Sequence, residues 1–401
     1  MGFLPTGPHN AITDVPGVRV GHQTVWKGDY SPSSSSSRSF PPPLAGEGQG
    51  GGIDSPSPAR GGGQGGGHPS TFPSPSGGGQ GGGPVIRSGV TAIWPHSGNL
   101  FRERLYAAIS VFNGYGEMTS RSVIDEWGLL GSPIVLTDTV HIGLAYDSVV
   151  RYLTEREPEI ADKDVVIPVV AETDDSFLSD GRAFGISRED VYAALDSAKD
   201  GAVAEGCVGA GTGTQFFDFK GGIGTASRVI ELSGEPFTIG VLLQTNYGSR
   251  HQLLIAGVPI GRQITDLMPR RHQEGSCIAV VATDIPMYPG QLRRLARRVD
   301  IGLGRTGSVG NDGSGEIFIA FSTANRIPRS TEQAAFPVNV LVEGQFWTEG
   351  SPFDLIFDAL VETTEEAAFN AMVAADTVEG RDGNVLYGFP LDRGLAHLTK
   401  R

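Results

Sequence analysis

The pair Gly275–Ser276 has the residue types of a site at which a chain can cleave its own peptide bond. Ser276 opens the apolar run 278–282, which predicts a buried strand, and the polar segment 268–275 predicts a loop before it. A serine hydroxyl at such a junction can attack the preceding carbonyl, and the cut would leave Ser276 as a new N-terminus. Its free α-amine, with an ordinary pKa of about 7.7–8.0, would then be a base beside its own nucleophile. The alternatives are an ordinary Gly-Ser turn, or Cys277 as the nucleophile, because adjacent strand residues face opposite sides and only one of the two can face a site.

Three other groups supply the side chains that such a nucleophile needs. Ser314 and Glu316 are two residues apart, so strand alternation places them on one face, where the carboxylate can orient the hydroxyl and help to move a proton. Asn246 ends a buried run, and its amide can donate to an oxyanion. Glu172 ends another buried run, and its carboxylate could hold a substrate ammonium group. Simpler interpretations are a turn that leads into a strand at 314–316, a turn-forming asparagine, and a glutamate that caps a helix or lies in a loop.

Composition narrows the classes of protein to which this chain can belong. Its 401 residues carry a net charge of −14, which argues against nucleic-acid binding and allows one large domain or a few smaller ones. The two cysteines, Cys207 and Cys277, and the eight histidines match neither a disulfide framework nor a metal-ligand spacing. No stretch approaches the roughly 18 apolar residues of a membrane span, and the N-terminus lacks signal-peptide features. We therefore predict a soluble cytoplasmic protein that needs no metal or other cofactor.

Residues 30–84 differ in composition from the rest of the chain. Glycine, proline and serine dominate this insertion, which contains almost nothing to bury and is predicted to be disordered. Three glycine–glutamine blocks recur within it, at 46–52, 61–67 and 77–83. The flanking runs 18–26 and 85–94 both predict strands, so the insertion would lie in a hairpin turn. There, loop closure costs only about 0.6 kcal/mol more per doubling of length. We expect the insertion to have no function of its own. The alternative is that it binds a partner.

Elsewhere the apolar periodicity predicts alternating strands and helices. The predicted strands are β-branched or aromatic runs at 133–136, 165–170, 237–244, 278–282 and 317–321. The predicted helices cover about 142–153, a segment capped by Ser187, about 289–299, and a segment that begins near Thr364. This order predicts an α/β protein in which helices cover two sheets.

One glycine-rich segment could be taken for a nucleotide site. Residues 302–307 fit the pattern G-x-G-x-x-G, but an arginine-rich helix precedes them and a loop follows. A dinucleotide site needs a strand before the glycines and a helix after them, so we do not predict nucleotide binding. The glycine-rich stretches 206–213 and 221–224 lack the lysine of a P-loop and are interpreted as tight loops that line a pocket.

These segments, in this order, resemble the L-aminopeptidase D-Ala-esterase/amidase (DmpA) family, which includes the β-peptidyl aminopeptidases. One long matching motif is Gly304-Arg-Thr-Gly-Ser-Val-Gly-Asn-Asp-Gly-Ser-Gly-Glu316. The other matching stretches are 10–22, 169–172, 209–213, 220–224, 275–276 and 365–383. The likeness covers nearly the whole chain outside the insertion, and it is specific because several long motifs recur in sequence order.

The resemblance implies a fold and a route of maturation. The family fold is a four-layer α/β/β/α sandwich, similar to the N-terminal nucleophile (Ntn) hydrolases with different strand connections. The chain would be a single catalytic domain, 1–401, that cleaves itself into an α chain, 1–275, and a β chain, 276–401. Family members assemble as oligomers of αβ pairs, so a homo-oligomer is expected.

The resemblance also assigns roles to the candidate residues. Ser276 matches the nucleophile, while Ser314 and Glu316 match the supporting serine and glutamate. By the same resemblance, Asn246 matches the residue that donates to the oxyanion. Glu172 matches the carboxylate that receives the free amine of the substrate. The implied activity is that of a self-processing serine aminopeptidase, which removes N-terminal residues from short peptides, amides or esters.

Two alternatives to this activity are an acyltransferase of the related ornithine acetyltransferase fold, whose cleavage point carries threonine, and a non-catalytic binding protein on the same scaffold. The insertion 30–84 departs from the family pattern and could alter assembly. So does the segment 173–175, where some members carry an aromatic residue. This second departure leads to the hypothesis that Asp174 favours cationic substrates. The preference among L-, D- and β-amino acids is left open by the sequence.

Overall fold

The computed structural model describes residues 2–29, 83–271, 275–343 and 351–399. Apart from Gly83 and Pro84, the insertion predicted to be disordered lies outside the described residues. The strands are β1 (Arg19–Lys27), β2 (Ile86–Trp94), β3 (Glu103–Val111), β4 (Leu129–Leu130), β5 (Ile134–Asp138), β6 (Val169–Thr173), β7 (Gln215–Phe216), β8 (Phe219–Lys220), β9 (Ile223–Leu232), β10 (Glu235–Asn246), β11 (Ser276–Thr283), β12 (Gly315–Pro328), β13 (Val378–Glu379) and β14 (Val385–Leu386). The helices are α1 (Arg121–Trp127), α2 (Ile142–Thr154), α3 (Arg188–Asp196), α4 (Pro289–Ala296), α5 (Val299–Arg305), α6 (Pro352–Val373) and α7 (Leu391–Leu398).

Most of these strands belong to two sheets. Within the described ranges, one sheet has four strands in the order β1-β2-β5-β6, and the other has six in the order β4-β3-β12-β11-β10-β9. Neighbouring strands are antiparallel except in the pairs β5–β6 and β11–β12, which are parallel. The pairs β7–β8 and β13–β14 form two small sheets of their own.

Side-chain alternation along the strands divides the core into layers. In β11, Ile278 and Val280 pack between the two sheets, whereas Ala279 and Val281 pack toward the helices. Helices α2 and α3 cover the outer face of the four-stranded sheet, and α4, α5 and α6 cover the outer face of the six-stranded sheet. The arrangement is the predicted α/β/β/α sandwich. In the described part of the chain, no helix has both the length and the apolar character that a membrane crossing requires.

Several predicted elements are present with small changes at their ends. The strands predicted to flank the insertion are β1 and β2, which are antiparallel neighbours along their whole length. Helix α2 covers the predicted segment, and α3 begins at the predicted capping box. There the Ser187 hydroxyl accepts from Asp190 N at 3.3 Å, and the Asp190 carboxylate accepts from Ser187 N at 2.9 Å.

Three predicted boundaries are wrong. Of the strand predicted at 165–170, only the last two residues belong to β6, because Pro168 has no amide hydrogen for the ladder, and Val165 and Ile167 before it are exposed. The helix predicted at 289–299 is divided into α4 and α5. The helix predicted to begin near Thr364 begins instead at Pro352, after the N-cap Ser351, whose hydroxyl accepts from Phe353 N at 3.3 Å.

The first glycines of the G-x-G-x-x-G segment lie in α5. A Cβ added to Gly302 would come within 2.5 Å of Thr364 Cβ on α6, so the close approach of two helices requires glycine at this position. This glycine therefore serves helix packing.

Candidate active site

Ser276 is the first residue of β11, and strand register gives it two neighbours of interest. Across the antiparallel pair it is opposite Asn246, the last residue of β10. Across the parallel pair it is beside Gly315, the first residue of β12. Ser276 and Asn246 are both buried, with 7% and 4% of their surface exposed. One backbone register therefore brings together the ends of three adjacent strands and the candidate residues that they carry.

The peptide bond before Ser276 is closely packed on both sides. Gly315 N donates to Gly275 O at 3.3 Å, so the carbonyl that Ser276 would attack already has a hydrogen-bond donor. A Cβ added to Gly275 would lie 1.6 Å from Asn246 O, and only glycine fits there. Sequence reasoning missed this donor because a backbone amide carries no signal of residue type.

Ser314 and Glu316 form a hydrogen-bonded pair at the start of β12. The Ser314 hydroxyl donates to Glu316 Oε1, and each residue is 1% exposed. Burial raises the pKa of the Glu316 carboxyl, while the Ser314 hydroxyl and the Asn113 amide partly oppose this shift. The predicted arrangement of a carboxylate behind a hydroxyl is therefore present, although Ser314 itself lies just before the strand.

The competing nucleophile, Cys277, is on the other face of β11. Its side chain is completely buried in the cluster between the six-stranded sheet and its helices. Burial, followed by the charges of Glu316 and Asp300, raises the pKa of the Cys277 thiol well above its ordinary value. Because the thiolate is the reactive form, this environment makes Cys277 a poor nucleophile.

The Asn246 amide is held in place by two backbone groups. Its Nδ2 donates to Asp174 O at 2.8 Å, and its Oδ1 accepts from Gln215 N at 3.1 Å. An amide nitrogen has two N–H bonds, so the second can still donate to a substrate oxyanion. The contact with Asp174 also joins the end of β10 to the segment that follows β6.

Glu172 lies in β6 and is 3% exposed. Its Oε1 accepts from Glu117 N at 2.8 Å, and its Oε2 accepts from the Thr139 hydroxyl. Burial raises the pKa of the Glu172 carboxyl; these two hydrogen bonds oppose the shift, and the charges of Asp174 and Asp138 add to it. An ammonium group bound beside it would favour the ionised form.

The loop between β3 and α1 lies between Glu172 and the start of β12, the strand beside Ser276. A Cβ added to Gly116 would lie 3.3 Å from Glu172 Oε1 and 3.5 Å from Gly315 Cα, so one glycine separates the carboxylate from the start of β12. At its other end, Phe112 N donates to Glu316 O at 3.0 Å. The five predicted site residues therefore belong to one connected region, to which this loop and Thr139 contribute groups that the sequence did not reveal.

The chemistry that this region can perform follows from its groups. It contains a serine hydroxyl, an amide donor, a hydroxyl–carboxylate pair and a separate carboxylate, which together suit acyl transfer from a substrate that carries an amine. Among the described residues, no group of three or more His, Cys, Asp and Glu side chains is arranged to hold a metal ion.

Comparison with known proteins agrees with this set of groups. The family model described as peptidase family S58 matches residues 74–386. The chain belongs to peptidase family S58. It is 37% identical to the beta-peptidyl aminopeptidase BapA of Sphingosinicella xenopeptidilytica over an alignment of 407 positions, and the match covers 98% of this chain and 88% of that relative.

Two solved structures match this S58 peptidase over nearly its whole length. The L-aminopeptidase D-Ala-esterase/amidase of Ochrobactrum anthropi is 38% identical with a TM-score of 0.80, and the match covers 99% of this chain and 95% of that one. The beta-aminopeptidase of a Burkholderia species is 34% identical with a TM-score of 0.78, and the match covers 99% and 96% of the two chains.

These comparisons confirm the expected family, fold and enzyme class. The structure from Ochrobactrum anthropi is described as a prototype for the serine aminopeptidases and as a new variant among the Ntn hydrolase fold. The present chain is accordingly a serine aminopeptidase of Ntn-like fold. This class argues against a non-catalytic scaffold protein.

Proposed function

We propose that this S58 peptidase cleaves its own chain between Gly275 and Ser276 and then removes N-terminal residues from small substrates through an acyl-enzyme on Ser276. The observation that supports this most strongly is the register of β10, β11 and β12. That register pairs Ser276 with Asn246 on one side and, on the other, with Gly315, the residue between Ser314 and Glu316.

Maturation would begin with attack of Ser276 Oγ on the carbonyl carbon of Gly275. The C–N bond breaks as an ester forms, and water then hydrolyses the ester to a carboxylate on Gly275 and a free hydroxyl and amine on Ser276. Gly315 N already donates to the carbonyl oxygen at 3.3 Å and would stabilise the negative charge that develops on it. The cut would yield an α chain, 1–275, and a β chain, 276–401.

Turnover would use the same hydroxyl on a substrate. Glu172 binds the ammonium group of the substrate, and Ser276 Oγ attacks the carbonyl carbon while the second N–H of Asn246 donates to the oxyanion. The α-amine of Ser276 takes the hydroxyl proton and passes it to the leaving group. Ser314 and Glu316 orient and assist this transfer, and water then releases the acyl group.

The names of the relatives indicate the kind of substrate. They describe β-peptidyl, L-amino acid, D-alanine ester and amide substrates, and we propose short peptides, amides or esters with a free amine for this chain. A cytoplasmic location and assembly as a homo-oligomer of αβ pairs belong to the same proposal.

The proposal is tested by intact-mass spectrometry and aminopeptidase assay of Ser276→Ala, with Cys277→Ala as the matched control. The wild type and the control should each give two chains that meet at 275/276. Ser276→Ala should give one folded, inactive, full-length chain. The control changes the adjacent residue on the opposite face and should stay within about threefold of wild-type activity. If Ser276→Ala still splits at this bond, the assignment is wrong.

A further inference from the structure

Behind Glu316 lies a small cavity that the proposed chemistry does not use. Its volume is about 90 Å³. Its walls include apolar groups from Phe112, Leu303 and Val309, and its polar residues are Asp300, Ser308 and Glu316. A buried water needs roughly 10–15 Å³ of such space, so the cavity can hold several waters.

Two carboxylate oxygens of the residues that line this cavity have no partner in the described part of the chain. Glu316 Oε1 accepts from the Ser314 hydroxyl, but Glu316 Oε2 is buried and has no hydrogen bond. Asp300 Oδ1 is likewise buried without a hydrogen bond. Buried polar atoms nearly always have a partner, and the Asn113 amide is the one further side chain, of those the structure describes, that acts on the Glu316 carboxyl. Water or a shared proton would complete the hydrogen bonding of these two oxygens.

No cation among the described residues shifts the pKa of either carboxyl. The polar side chains that act on Glu316 are Ser314 and Asn113, and the one charged group that acts on Asp300 is Glu316 itself. Burial, followed by the charge of Glu316, raises the pKa of Asp300 to about 6. Two carboxyl groups with buried oxygens on one partly open cavity cannot both ionise cheaply.

The other titratable groups nearby do not supply a balancing charge. Burial raises the pKa of the Cys277 thiol and of the Tyr247 phenol well above their ordinary values, so both are neutral. Arg305, on the same helix as Asp300, is paired with Glu365 of α6 at 2.7 Å.

We propose that Asp300 and Glu316 share one proton through water in this cavity, which makes Asp300 a positioning residue for the Ser314–Glu316 pair. The inference rests on the proposed function of that pair. When Asp300 carries the proton, it donates through water to Glu316 Oε2 and leaves Glu316 Oε1 to accept from Ser314. Only an O–H bond breaks when the proton leaves, and the proton passes to solvent.

The shared proton has a consequence for the base of the reaction. As the pH rises through about 6, Asp300 loses its proton and the cavity gains a second negative charge. A nearby negative charge raises the pKa of an ammonium group, so it favours the protonated α-amine of Ser276. Removal of the Asp300 charge therefore lowers the pKa of that amine, and the free-amine base persists to lower pH.

The first measurement is the pH profile of kcat/KM for the wild type, Asp300→Asn and Asp312→Asn. Asp300→Asn should move the acid limb about half a pH unit lower and abolish the inflection near pH 6. Asp312→Asn removes the same charge from an exposed position in the loop before β12, and its profile should superimpose on that of the wild type. If Asp300→Asn does not fold, Asp300→Ser, which is smaller and also neutral, replaces it.

The second measurement does not depend on turnover. Infrared titration of the full-length Ser276→Ala chain should show a protonated carboxylic acid whose carbonyl band disappears near pH 6. The band should be missing after Asp300→Asn and present after Asp312→Asn. The proposal would be overturned if the pH profiles of the wild type and Asp300→Asn superimposed, or if the infrared bands were identical with and without Asp300. If the chain neither cuts itself nor hydrolyses substrates, the proposed function fails, while the infrared titration still decides whether Asp300 holds the proton.

Discussion

The two sides of the site are built in different ways. On the six-stranded sheet, the ends of three adjacent strands carry Asn246, Ser276 and the Ser314–Glu316 pair, and backbone register brings these strand ends together. On the four-stranded sheet, Glu172 is oriented by a loop amide and by the Thr139 hydroxyl, which come from separate segments. In the proposed mechanism, the bond-breaking step therefore depends on strand register, whereas recognition of the amine depends on side chains and loops that can vary. Changes on the first side should lower kcat, and changes on the second should raise KM.

The largest effect among the substitutions below is expected from Asn246→Ala. Loss of an oxyanion donor typically lowers kcat by about 10²–10³-fold, and KM should change much less. Steady-state kinetics on the matured protein would measure this. Asn384→Ala is the control, because the Asn384 amide also donates to a backbone carbonyl, Phe177 O, at 2.8 Å, but lies outside the site. A loss of similar size in the control would mean that the effect is one of folding.

On the other side of the site, Glu172→Gln should raise KM by about 10²-fold, since one partner of a buried charge pair is lost. The change in kcat should be the smaller one. The same variant should lose most of the discrimination between free and N-acetylated substrates. Glu117→Gln is the matched control, because Glu117 touches Glu172 only through its backbone amide. An unaltered KM in Glu172→Gln would place the amine elsewhere.

Thr139→Val tests the hydrogen bond that opposes the raised pKa of Glu172. Burial already raises this pKa, and loss of the hydroxyl donor should raise it further. The ionised carboxylate would then be lost at a higher pH as the pH falls. The Glu172 step in the pH profile of kcat/KM, which is separate from the step of the Ser276 α-amine, should therefore move upward by about one unit, or roughly tenfold at a fixed pH on that step. Thr139→Ser should restore the wild-type profile. A profile that stays in place in Thr139→Val would show that the hydroxyl does not control this ionisation.

The smallest effect is expected from Asp174→Ala. Asp174 is exposed and adds negative charge near Glu172, so its loss should reduce kcat/KM about threefold for substrates with an N-terminal lysine relative to leucine. High salt should erase the difference. Asp162→Ala removes an exposed charge far from the site and serves as the control. An unchanged pH profile of KM in Asp174→Ala would count against a preference for cationic substrates.

The difference between groups that are close in the chain and groups that only packing brings together explains how much of the site the sequence could predict. Gly275–Ser276 and Ser314–Glu316 are visible because their members are adjacent or nearly adjacent in the chain, and the family resemblance supplies their roles. Thr139, Gly116 and Asp300 were not found, because tertiary packing alone brings them to the site. The Gly315 amide could not be found either, since every residue except proline carries one.

The fold shows a similar division between local and distant causes. The capping box at Ser187 and the flanking strands β1 and β2 were predictable from local patterns. Strand β9 was missed because its first half is rich in Gly, Thr, Ala and Ser, which signal a strand weakly. The reason for these small residues lies in packing: a Cβ added to Gly224 would come 1.9 Å from Ala367 O on α6. The requirement is tertiary, and the local pattern does not reveal it.

In the proposed function, one residue, Ser276, is both the point of cleavage and the nucleophile. The most direct test is intact-mass spectrometry of the purified wild-type protein before and after brief exposure to an activated ester of an amino acid, followed by mapping of the modified residue. We expect two chains, 1–275 and 276–401, with one acyl group on Ser276 of the second chain. An uncut chain that is fully active, or an acyl group on any other residue, would contradict it.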